Sequence, residues 1–133
     1  MKLSRTLLIT AFITTSASAQ TQTQIEKRYS RDYAQCMDAS GGVTADMMDC
    51  LGTEIDRQDA RLNQAYVMVM RPLPKPRKDK LRGLQRAWIK QRDAKCARAS
   101  AEEGGGSLSS IIYSSCILDE TIGRTIFLEN YKG

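Results

Sequence analysis

Reactive residue types are unevenly distributed in this chain, and the densest run is "LQRAWIKQRDAKC", Leu84 to Cys96, which holds its single tryptophan, four cations and a cysteine. Several ordinary chemistries are excluded at once. The sequence contains no histidine, so Ser-His and Cys-His nucleophilic mechanisms have no base. There is no S-x-x-K arrangement in which a lysine could activate a serine. Carboxylates do cluster, with Asp46 and Asp49 followed by Glu54, Asp56 and Asp59. Two such acids could in principle cleave a glycosidic bond, but acids at the start of a helix ordinarily favour its dipole and its solvation. "DASGGVTADMMD" offers oxygens at several calcium-loop positions, yet lacks the central glycine and the final glutamate. "EEGGGS" follows a helical pattern rather than a strand and carries no lysine, so it is no phosphate cradle. No enzyme, metal or cofactor is expected.

The cysteines point to a compartment. Lys2 and Arg5 precede the apolar "LLITAFITT", and Ala17-Ser18-Ala19 supplies a small-residue cleavage site, the layout of a secretory leader. Cleavage after Ala19 would leave one domain from Gln20 to Gly133, periplasmic or secreted, with no cysteine at the new terminus for lipid attachment. An even number of cysteines (Cys36, Cys50, Cys96 and Cys116) in an oxidising compartment implies two disulfides, whereas zinc would want histidine or a C-x-x-C pair. Three connectivities are open. Pairing along the chain, Cys36 with Cys50 and Cys96 with Cys116, closes one short loop at each end and is the expected one.

The elements that carry these residues are helical. A short N-terminal helix is predicted over Ile25–Cys36, followed by the loop "DASGG". Thr44 is placed to cap a long helix running to about Met70, which "RPLPKP" terminates because proline cannot occupy a helix interior. A second long helix is predicted over residues 77–99, and a third from Ser107 or Ser109 to about Tyr131, with Ile112, Cys116, Phe127 and Tyr131 near one side. No alternating strand pattern occurs. The expected architecture is all-α: a small antiparallel bundle of three long helices plus a short N-terminal helix, stapled by two disulfides.

On a helical wheel, Leu81, Gln85, Trp88, Arg92 and Cys96 fall within about 80° of one another and form an inner face. Trp88 then belongs in the core, and Arg92 is a guanidinium in an apolar stripe. A buried arginine needs a bonded partner. On the preceding helix, Asp59 and Asn63 lie about 40° and 80° from Ile55, beside Tyr66. The expected partner of Arg92 is therefore Asp59, with Glu54 and Glu120 as alternatives.

Charge is segregated along the chain. Removing the leader lowers the formal net charge from +5 to +3, by the loss of Lys2 and Arg5. Residues 71–98 hold eleven Lys or Arg against Asp79 and Asp93 alone, while residues 46–59 hold five acids against Arg57. The basic tract suits weak contact with an anionic surface. Without interleaved aromatics it does not suit single-stranded nucleic acid.

Cys50, "D-A-x-L-N-x-x-Y" (Asp59 to Tyr66), "Q-R-A-W-x-x-x-R-D-x-x-C" (Gln85 to Cys96), "GS", Cys116 and "T-x-x-R" (Thr121 to Arg124) resemble the LprI-like lysozyme-inhibitor N-terminal domain family. The resemblance covers nearly all of the chain after the leader. It implies an exported, disulfide-bonded, all-helical and non-enzymatic binding domain of the bacterial envelope, with a protein partner such as lysozyme. The alternative is a periplasmic structural or adaptor protein binding another envelope protein or an anionic polymer. The motif residues Asp59, Asn63, Tyr66, Gln85, Trp88, Arg92, Asp93 and Arg124 are expected to build the fold rather than a binding surface.

Overall fold

The computed structural model describes residues 17–133, so most of the expected leader, residues 1–16, lies outside the described residues. Five helices follow one another: α1 (Ala17–Glu26), α2 (Arg31–Ala39), α3 (Thr44–Met70), α4 (Lys75–Glu102) and α5 (Ser107–Glu129). There is no strand among the described residues. The expected all-α bundle with three long helices is the observed one.

The N-terminal region differs from the single short helix predicted there. The chain turns over residues 27–30 and restarts as α2. Ser30 causes the restart: its Oγ accepts from the Tyr33 N–H at 3.0 Å, a side-chain cap on the first turn of α2. Its own N–H is held by Glu54 of α3 at 3.0 Å, so the break is fixed by tertiary contact as well as by capping.

Elsewhere the stops are local chemistry. Pro74 precedes α4 and Pro76 lies in its first turn, where a missing N–H leaves no helical bond unmade. The predicted hydroxyl caps are absent, because Val43 and Gly106 occupy the cap positions of α3 and α5 without a side-chain bond. Ser109 instead ties the α4–α5 turn together, donating to the Ser100 carbonyl at 2.9 Å and accepting from the Gly105 N–H at 3.1 Å. Gly104, Gly105 and Gly106 all have φ between 73° and 96°, a run that residues with side chains would occupy only under strain.

α5 is the central helix: α1, α3 and α4 all pack on it, while α2 packs on α3. Its apolar residues feed two cores. Leu118 and Ile122 meet Ile25 and Leu51 in one, and Leu128 meets Leu62 and Leu81 in the other. Between them, Thr121 and Thr125 are buried but return their hydroxyl protons to the Ile117 and Thr121 carbonyls of their own helix. No hydroxyl is therefore left wanting where α5 is most enclosed. Phe127, predicted near one side of this helix with Ile112, Cys116 and Tyr131, is exposed.

Both disulfides pair neighbours along the chain. Cys36 joins Cys50 across the α2–α3 loop with Cα atoms 5.7 Å apart, and Cys96 joins Cys116 across the glycine-rich turn at 5.4 Å.

Candidate functional site

The most buried polar cluster lies where α2 meets α3. Glu54 is 0% exposed, and its carboxylate accepts from the Ser30 hydroxyl at 2.6 Å, Gln58 Nε2 at 2.7 Å and Arg57 at 2.8 Å, besides the Ser30 N–H. Gln58 also donates to the Arg28 carbonyl at 2.9 Å, so the amide bridges α3 to the turn before α2. Burial pushes the Glu54 carboxyl up, but the bonds from Ser30, Gln58 and Arg57 outweigh it and hold the group below the usual carboxylate range. Beside it Tyr29 donates to Asp119 of α5; burial and that bond push its phenol well above the ordinary value. Every oxygen of Glu54 is engaged, so this cluster locks the N-terminal helices to α3 and has no free valence for chemistry.

The predicted Asp59–Arg92 pair is not formed. Arg92 bonds its own neighbour Asp93 at 2.9 Å and lies over the Trp88 ring at 5.1 Å, with 18% of its side chain exposed. Asp59 and Asn63 are exposed. The alternative partners are committed elsewhere, Glu54 to the cluster above and Glu120 to Lys95. The cause is a rotation of α3. Its buried stripe runs through Leu51, Glu54, Gln58 and Leu62, about 50° round the helix from the face centred on Ile55. A buried glutamate and glutamine displace the face that hydrophobicity alone selects.

Trp88 packs against the core of Leu62, Leu81 and Leu128 but is only half-buried, and Leu84 and Ile89 are each 40% exposed. The reason is that α3 and α4 each pack on α5 and leave a groove between them. That groove, of about 400 Å³, is walled by Asp59, Asn63 and Tyr66 of α3 and by Gln85, Trp88 and Arg92 of α4. Asp93 stands behind Arg92, and Arg124 of α5 stands behind Trp88. All eight motif residues thus form one constellation, and six of them face an open groove instead of a sealed interior.

Arg124 is a part-buried cation without a carboxylate partner, whereas the sequence assigned the enclosed position to Arg92. Its Nε donates to Gln85 Oε1 at 2.8 Å, and its guanidinium lies 4.2 Å from the Phe127 ring and 5.5 Å from Trp88. No carboxylate bonds it and one terminal nitrogen is buried without a partner; burial alone draws its pKa down. Aromatic faces supply the compensation that a carboxylate was expected to give. The T-x-x-R spacing carried a signal for this, since it places Arg124 one turn beyond the buried Thr121.

Arg92→Met is therefore expected to lower stability by about 1 kcal/mol, the scale of one part-exposed ion pair and one cation–π contact. Asp59→Ala should change it by less. A fall of several kcal/mol in both, measured by urea unfolding, would restore the cross-helix pair.

Surface charge is polarised along the bundle. α3 ends, α4 begins and α5 ends at the same end, about 40 Å from the opposite loops. Residues 71–82 place Arg71, Lys75, Arg77, Lys78, Lys80 and Arg82 at that end against Asp79. The far end carries Asp38, Asp46, Asp49, Glu102 and Glu103 against Arg98 and Lys95, the latter held by Glu120. Among the described residues, no group of three His, Cys, Asp or Glu side chains could hold a metal ion, and no helix is long and apolar enough to cross a membrane.

No solved structure is significantly similar to this chain. An uncharacterised protein of Rhizobium meliloti (strain 1021) is 30% identical over 97 residues, covering 63% of this chain and 70% of that protein. The family model described as lysozyme inhibitor LprI matches residues 36–128, a span that begins at the first cysteine, contains both disulfides and takes in α3, α4 and nearly all of α5. The chain belongs to the lysozyme inhibitor LprI family.

Proposed function

We propose that this protein is an exported, non-enzymatic inhibitor of lysozyme, released as one domain from Gln20 onward into the periplasm or the medium. The observation that carries this reading is the family match over residues 36–128. The leader pattern and the two disulfides support export into an oxidising compartment. The acidic far end supports a strongly basic lysozyme as partner, because complementary fields raise encounter rates and orient the docking.

A turbidity assay tests it. The purified chain from Gln20 should inhibit a basic lysozyme near stoichiometry and a less basic one more weakly. Neutralising the far end (Asp38→Asn, Asp46→Asn, Asp49→Asn, Glu102→Gln and Glu103→Gln together) should weaken inhibition by about tenfold, mostly through slower association. No inhibition at stoichiometric excess overturns the reading, and an envelope adaptor that binds another protein or an anionic polymer then takes its place.

A further inference from the structure

We propose that the α3–α4 turn end of the bundle docks on an anionic phospholipid surface. Three observations converge there. Six cations stand in residues 71–82, and Asp79, the acid among them, is already held by Lys75 at 2.6 Å and Arg82 at 2.8 Å. Two apolar side chains at the end of α3 are open to solvent beside them, Val67 at 54% and Met68 at 57% exposure. Finally, Val67 and Met70 share a shallow depression of about 410 Å³ with Tyr66, and Arg71, Lys78 and Arg82 stand on its rim.

That depression matches the chemistry of an anionic headgroup. A phosphate can lie among the cations while the glyceride edge rests on Val67 and Met70. Pro72 and Leu73 extend the apolar surface on the other flank, together with Met68 and the cation Lys132; Glu129, which also lines this flank, is held by Arg28 at 2.7 Å. Cations beside shallow apolar anchors are what interfacial docking uses, each Lys or Arg near an anionic leaflet strengthening binding by about fivefold. The anchors are what favour a lipid surface over an acidic protein, to which cations alone would suffice. Charge polarisation fixes the pose: the five acids of the far end are repelled by the same surface, so the bundle stands with its acidic end outward. The inference does not depend on lysozyme inhibition, and the two can fail separately.

Co-sedimentation with vesicles tests it, using the chain from Gln20, which keeps every residue of both cores and lacks the apolar leader. Vesicles of phosphatidylcholine with about one-third phosphatidylglycerol should bind the protein at least tenfold more tightly than phosphatidylcholine alone. Raising NaCl to about 0.5 M should release most of it. The triple charge reversal Arg71→Glu/Arg77→Glu/Lys80→Glu should lose binding by tenfold or more while keeping a helical circular-dichroism spectrum. Val67→Ser/Met68→Ser, which leaves the charge intact, should weaken it several-fold. Equal binding to both vesicle types, or an unchanged affinity in the folded triple variant, overturns the proposal. Loss of binding by the charge reversal with no change in Val67→Ser/Met68→Ser overturns the lipid assignment in favour of a soluble anionic partner. Lysozyme inhibition measured on the same variants reports on the other end of the molecule.

Discussion

Glu54→Ala is expected to lower stability by about 3 kcal/mol, the scale for breaking a buried charge network by removing one partner. In a chain of this length that amounts to a fall of about 10 °C in melting temperature. The substitution does more than delete a carboxylate. It orphans the Ser30 N–H, removes one of two acceptors from the Gln58 amide and the buried acceptor from the Arg57 guanidinium, and loosens the turn that separates α1 from α2. The two exposed pairs nearby, Arg28 with Glu129 and Arg57 with Asp32, cannot substitute for it, because surface ion pairs contribute little. Acid should have the same effect by titration. The folded-state pKa of Glu54 is held below its unfolded value of about 4.5. Its contribution is therefore fully present only above that unfolded value, declines as pH falls below it, and is lost as pH falls through the lower, folded value. The stability gap between the protein and Glu54→Gln should consequently shrink on acidification. A gap that stays constant from pH 7 to pH 2 in thermal melts would show that the carboxylate charge is not what Ser30, Gln58 and Arg57 recognise.

Removing the disulfides should have the largest effect of all. On the chain-entropy estimate each bridge contributes about 3 kcal/mol, for sequence separations of 14 and 20 residues. Together they amount to about 6 kcal/mol, against a total stability of roughly 5–15 kcal/mol for a domain of ordinary size. The protein lacking both should be largely unfolded at 37 °C. The bridges are not equivalent in setting. Cys96 is fully buried and joins α4 to the central helix, whereas Cys36 is exposed on α2, an element that contributes no fully buried residue. Cys96→Ala/Cys116→Ala should thus destabilise more than Cys36→Ala/Cys50→Ala. Under limiting reductant, mass spectrometry of trapped thiols should find Cys36 and Cys50 free first. Simultaneous opening of both bridges would mean that α2 cannot detach from α3 alone.

Such differences were only partly legible in the sequence. The neighbour pairing of cysteines followed from helices that end in short loops, since a loop bounded by two helix ends brings those ends together whatever the packing. The stops themselves were legible for the same reason: proline and glycine act on their own backbone. Arg92 was misassigned because a wheel ranks faces by apolarity. It could not admit Glu54 and Gln58 to the core, as their acceptability depends on donors and acceptors 24 and 30 residues away in Ser30 and Arg28.

By itself, then, the sequence determined what is local: helical periodicity, the turns, the redox compartment its cysteines suit, and the ordered motif that marks the family. Tertiary structure decided which face of α3 is inside, that Arg124 and not Arg92 is the cation enclosed by two rings, and that the motif "Q-R-A-W-x-x-x-R-D" walls a groove while its tryptophan packs against a core. It also converted charge segregation along the chain into charge segregation in space, because antiparallel helices return residues 71–82 and residues 102–103 to opposite ends of the bundle. The physical reason is common to all of these. A polar side chain has no fixed preference for inside or outside; its free energy of burial is set by the partners that the fold delivers to it.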